Sequence, residues 1–105
     1  MAGKESNLVY VKEFESSGEL IVAVCDSDLL GKTISDDKIS VYIDPVFYGG
    51  RLIDIEEALR LIDRSTIANL FGSKIVTAAM EKGLVHPDSV IEINGVLHAQ
   101  IIKVF

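Results

Sequence analysis

Ser89-Val90-Ile91-Glu92-Ile93-Asn94-Gly95-Val96-Leu97-His98-Ala99-Gln100-Ile101-Ile102-Lys103-Val104 reads as two strands, 89–93 and 96–104, joined at Asn94-Gly95. An Asn-Gly pair between apolar runs suits the two-residue turn whose central residues both need φ > 0, so it predicts an antiparallel hairpin. The second strand has a usable parity. Leu97, Ala99 and Ile101 fall on one face; Val96, His98, Gln100 and Ile102 fall on the other.

Two helical patterns stand directly before this hairpin. Asp54 is an N-cap for a helix carrying Ile55, Ala58, Leu59 and Ile62, with Glu56 and Glu57 in the first turn, ending near Arg64-Ser65. Ser65 or Thr66 then caps a longer helix whose apolar set is Ile67, Leu70, Phe71, Ile75, Ala78 and Ala79, with Gly83 as its stop. Working back to the start, residues 8–14 form a strand, residues 15–18 a turn and residues 19–25 a second strand, apolar at successive positions and so covered on both faces. Residues 26–37 read as a loop opened by Asp26 or Ser27, and residues 38–44 alternate as a third strand that Pro45 stops. The order βββααββ predicts a single α+β domain over residues 1–105, residues 1–6 being a flexible N-terminus. Its largely antiparallel sheet is covered on one face by two helices.

Composition agrees with one core-rich domain: of 105 residues 49% are hydrophobic, and Leu, Ile and Val make up 34 of them, too many for a disordered chain. A single cysteine, Cys25, excludes an internal disulfide and any zinc site needing two thiolates. No apolar run approaches the ~20 residues of a membrane helix, and residues 1–7 lack the apolar core of a signal peptide, so a cytoplasmic location without membrane contact is expected. Formal charge is −6. Broad phosphate-backbone binding needs clustered cations, which makes non-specific nucleic-acid binding a poor fit. The excess lies in residues 1–60, while residues 61–105 carry four basic and four acidic groups.

Several positions could carry chemistry. His98 and Gln100, neighbours on one strand face, could offer a base, a ligand or donors to an anion or base edge; the plain alternative is a half-exposed histidine bonded to its surroundings. Cys25 would need a nearby cation to act as a thiolate and otherwise is a small core residue. Asp26 and Asp28 lack further oxygen ligands at fixed spacing, so no metal or cofactor is expected, and Asp26 reads as a loop cap. Phe47-Tyr48-Gly49-Gly50-Arg51 could stack a base or grip a peptide, or simply pack Phe47 inward. Gly72, inside the second helical pattern, implies a close approach to its backbone by a strand, a helix, or a phosphate. Gly-x-Ser-x-Gly, His-Glu-x-x-His and Gly-x-Gly-x-x-Gly are all missing from the sequence.

Cys25-Asp26 with Leu29-Leu30-Gly31-Lys32, Phe47-Tyr48 before a glycine, Asn69-Leu70-Phe71-Gly72, and Gly95-Val96-Leu97-His98-Ala99-Gln100 together resemble an archaeal family of small proteins, domain of unknown function 424. The resemblance runs from about residue 20 to residue 101 and implies a loose association with translation and RNA. It selects Asp26, Lys32, Tyr48, Asn69, Lys74, His98 and Gln100, to which the aromatic segment adds Arg51. The leading expectation is a non-enzymatic binding module for RNA or a ribonucleoprotein partner, using Lys32, Tyr48, Arg51, Asn69, Lys74, His98 and Gln100. The alternative is a small hydrolase or transferase with His98 as general base, Asp26 orienting it, and Lys32 or Asn69 stabilising an anion. A homo-oligomer paired through edge strands and Val104-Phe105 is a third reading.

Overall fold

The computed structural model describes residues 7–103. Eight strands and three helices follow in order: β1 (Leu8–Ser16), β2 (Glu19–Asp26), β3 (Thr33–Ser35), β4 (Ser40–Tyr42), α1 (Pro45–Tyr48), β5 (Arg51–Asp54), α2 (Ile55–Arg64), β6 (Ile67–Phe71), α3 (Ser73–Glu81), β7 (Val90–Ile93) and β8 (Val96–Ile102). A 3-10 turn, Pro87–Ser89, leads into β7, with the His86 ring accepting from the Asp88 amide. Six strands form one sheet in the order β5-β1-β2-β6-β8-β7; β3 and β4 pair separately. Of the five pairings in the large sheet only β2–β6 is parallel, so the α+β class and the largely antiparallel sheet hold. Among the described residues no helix is long and apolar enough to cross a membrane.

Local signals produce both hairpins of the six-stranded sheet. Asn94 and Gly95 have φ of 48° and 83°, and Ser17-Gly18 repeats the pattern at 53° and 81°, the twist that closes two-residue turns between right-handed strands. Asp54 caps α2 by accepting from the Glu57 amide, and its buried stripe is Ala58, Leu59, Leu61 and Ile62. α3 ends in a Schellman pair: the Gly83 amide donates to the Met80 carbonyl and the Leu84 amide to that of Ala79.

One expected element is overturned. Residues 67–71 are a strand, and the helix begins at Ser73 rather than at Ser65 or Thr66. As a helix, the segment would have left the second edge of β2 unpaired in the middle of the fold, at a cost of roughly 1–3 kcal/mol per buried orphan group. As β6 it pairs with β2 and β8, sends Ala68 and Leu70 toward the helices, and buries Phe71 on the other face. Three further corrections are smaller. The 26–37 loop contains β3, which pairs with β4 outside the main sheet; Pro45 opens α1 behind the N-cap Asp44; and residues 51–54 form the edge strand β5 beside β1. The flexible N-terminus and the pairing through Val104-Phe105 lie outside the described residues.

The two sheet faces are covered differently. α2 and α3 pack on one, over Val9, Val11, Val22, Val24, Leu70 and Ala99. The insertion between β2 and β5, carrying Leu29, Ile43 and Tyr48, packs on the other against Ala23, Cys25, Phe71 and Ile93. Fully burying an aliphatic side chain stabilises by about 1.5–3 kcal/mol, and β2 spends such residues on both sides, as its unbroken apolar run requires. The insertion covers only one end of its face. At the other end Ile21, Ile67 and Asn69 are half-buried, Gln100 is exposed, and Ile102 is 60% exposed.

Candidate functional site

Asn69, His98 and Gln100 converge on this open end. Asn69 lies opposite Gln100 in the β6–β8 register, and Phe71 lies opposite His98. All point away from the helices, since their neighbours Leu70 and Ala99 belong to the helix-side core. The His98 ring stacks on Phe71, centroids 4.6 Å apart, and its Nδ1 lies 2.9 Å from the Leu70 carbonyl. A carbonyl only accepts, so Nδ1 carries the proton and Nε2 is left as an acceptor. Burial lowers the imidazole's proton affinity, with the Leu70 bond acting against it, so the ring is neutral at pH 7. Ile91, across from His98 on β7, and Ile102 flank the three polar groups at 48% and 60% exposure.

This titration carries a sign. A histidine whose folded value is depressed is neutral in both states above about pH 6.5; below that the unfolded chain takes up a proton first, so stability falls with pH. His98 is therefore expected to pull the urea midpoint down between about pH 7 and pH 5, and His98→Gln should raise the pH 5 midpoint relative to the pH 7 one when compared with wild type. Parallel profiles for the two proteins would remove His98 as the source.

The remaining expected residues lie elsewhere. Tyr48 is 7% exposed, its ring edge-on to Phe47, which in turn stacks on Phe14. Enclosed in the core, it has no free face for a base, and burial pushes its hydroxyl up to about 12. Cys25 is fully buried with its thiol likewise pushed up to about 12 by desolvation and then by Asp26 and Asp28, so it is a core residue and not a thiolate. Lys32 is exposed in the insertion. Arg51 sits on the edge strand, 3.3 Å from Glu13 and 3.6 Å from Glu57. Lys74 is exposed on the first turn of α3. Of the seven, strand register brings Asn69, His98 and Gln100 together; Tyr48 is in the core, Lys32 on the insertion, Arg51 on the edge strand and Lys74 on α3.

Asp26 also departs from both of its expected roles. Its carboxylate accepts from the Lys74 amide at 2.9 Å and the Ile75 amide at 3.0 Å, capping α3 from the end of β2. Gly72 supplies no cap of its own. The close approach implied at Gly72 is therefore this carboxylate: a Cβ there would stand 2.6 Å from each oxygen, and the backbone has φ +127°. Desolvation raises the Asp26 proton affinity against the pull of the two amides. With both oxygens engaged on the helix side of the sheet, Asp26 does not orient His98; the Leu70 carbonyl does. A cleft of about 200 Å³ opens beside it, lined by Asp26, Asp28, Leu29, Ser73, Lys74 and Val96. It lies where the parallel strands β2 and β6 end, a usual ligand position in open sheets, but the carboxylate already fills the anion position at the helix N-terminus.

The flanking isoleucines were the residues sequence reasoning missed. Ile102 stood on the His98 face by parity, and hairpin register would have placed Ile91 opposite His98.

A family described as "Protein of unknown function (DUF424)" matches residues 14–104, and the chain belongs to it. The chain is also similar to an uncharacterized conserved protein from Methanopyrus kandleri whose crystal structure is solved. The two share 23% identity over 90% of each chain with a TM-score of 0.76, a likeness of fold. No curated protein matches.

Proposed function

We propose that this member of the DUF424 family is a non-enzymatic binding module of the archaeal cytoplasm that docks a protein partner on the open end of its sheet. The observation that carries this reading is the uncharged strip of Asn69, His98 and Gln100 on paired strands, bracketed by Ile91 and Ile102. Apolar side chains beside amide and imidazole edges are the mixture a protein interface uses at its centre, where charge is depleted. The His98 ring, stacked on Phe71 and bonded to the Leu70 carbonyl, has little freedom left to lose on binding.

RNA, the partner class expected from the sequence, would meet base-edge donors and acceptors here but little positive charge for its phosphates: Lys32, Arg51 and Lys74 come from other elements, and Lys12, two strands from Asn69 on the same face, has its ammonium on the Val46 carbonyl. A ribonucleoprotein is therefore engaged through its protein. The hydrolase reading has lost its orienting acid, since the Asp26 carboxylate is bound to the α3 amides.

The test is capture from RNase-treated archaeal lysate by wild type, Ile102→Asp, Gln100→Ala and the control Lys38→Glu. All three changes are at exposed positions, so circular dichroism is expected to be unchanged. A partner held by wild type and Lys38→Glu, and weakened about tenfold or more by Ile102→Asp and Gln100→Ala, is the expected result. Equal capture by Ile102→Asp, or loss of the partner on RNase treatment, would overturn it.

A further inference from the structure

The chain has three arginines, and all three line one cleft. This cleft, about 490 Å³, lies between the edge strand β5 and α2, with Arg51, Glu57, Arg60, Leu61, Asp63 and Arg64 around it. Arg60 and Arg64 stand four residues apart on α2, so they project from successive turns of one helix face, and both are exposed. Arg51 comes from the strand, steadied by Glu13 at 3.3 Å and Glu57 at 3.6 Å. Among the described residues Arg60 and Arg64 form no ion pair, in a chain with sixteen carboxylates.

We propose that this cleft binds a small phosphate monoester through Arg51, Arg60 and Arg64. Guanidinium groups present flat forks of N–H donors matched to pairs of phosphate oxygens, and they stay charged at any working pH. Forks arriving from two elements, a strand and a helix, suit a tetrahedral group with oxygens on several sides better than a carboxylate, whose two oxygens share a plane. The volume falls within the ~300–1,000 Å³ usual for small-ligand sites. Glu57 and Asp63 on the same walls oppose a long polyanion, which needs cations in succession along its path. They suit a ligand that carries hydroxyl donors next to its one phosphate. The cleft is on the helix side, away from the strip of Asn69, His98 and Gln100, and stands whether or not that strip binds a protein.

Titration of the full-length ¹⁵N-labelled chain tests this, read at the arginine Nε–H and neighbouring amide signals. Ribose 5-phosphate is the probe, with ribose, inorganic phosphate and a single-stranded RNA oligomer as comparisons. Saturable shifts at residues 51–64 with ribose 5-phosphate are expected, with competition by inorganic phosphate and none by ribose. Arg60→Gln/Arg64→Gln should weaken binding at least about tenfold while leaving the rest of the spectrum unchanged. The proposal fails if no signal saturates, if the double variant binds equally well, if shifts spread over all the lysines, or if the RNA oligomer binds the same residues more tightly.

Discussion

Gly72→Ala is expected to remove about 3–5 kcal/mol of stability, the sum of a backbone forced into a region side chains avoid and a cap displaced. The position is fixed from both directions: the Gly72 amide donates to the Leu97 carbonyl at 2.8 Å, and the Val76 amide donates to the Gly72 carbonyl at 3.0 Å. The chain therefore cannot relax to negative φ without detaching β6 from β8 or unwinding the first turn of α3. A methyl group at this site overlaps the Asp26 carboxylate, which can retreat only by releasing both amides. A domain of this size has about 5–15 kcal/mol in total, so the variant is left close to unfolding. Its Tm should fall by more than about 12 °C. Thermal melts and urea titrations measure this directly, and a loss below about 1 kcal/mol would mean that the carboxylate is not held where the structure has it.

Asp26→Ala is the second large effect, about 2–3 kcal/mol. It strips the acceptor from the Ile75 amide, which is buried, and from the Lys74 amide, which water reaches in part. Asp26→Asn should recover little, because its amide nitrogen turns a donor toward one of the two N–H groups. The pair Asp26→Ala and Gly72→Ala should be less damaging together than the sum of the singles, since the methyl group then enters space the carboxylate has left. Strict additivity in urea titrations would break the proposed contact. So would an Asp26→Ala protein as stable as wild type, the result a purely catalytic aspartate would give.

The elements legible in the sequence were those specified by their own neighbours. Asn94-Gly95 and Ser17-Gly18 set the two hairpins, Asp54 set the start of α2, and Gly83 set the end of α3, each through a bond made within a few residues. β6 was not legible for the opposite reason. Ile67, Leu70 and Phe71 satisfy helical spacing, and what makes the segment extended is the unpaired edge of β2, more than forty residues earlier. The short strands β3 and β5 are likewise defined by partners and carry little pattern of their own. At the candidate site, parity alone put His98 and Gln100 on one face. Asn69 joined them only through strand register, and the places of Lys32, Tyr48, Arg51 and Lys74 followed from where the insertion, the edge strand and α3 pack.

The capping of α3 by Asp26 has a consequence for the order in which the chain assembles. α3 has nine residues, too few to persist alone in water. Its N-terminal amides acquire their acceptor only when β2 and β6 are side by side, a parallel pairing that no tight turn can nucleate. The two hairpins can form early, but each remains a marginal fragment until that central closure occurs. Closure, helix capping and burial of Phe71 then belong to a single event, so amide protons of α3 and of β2 exchange with solvent through the same global opening.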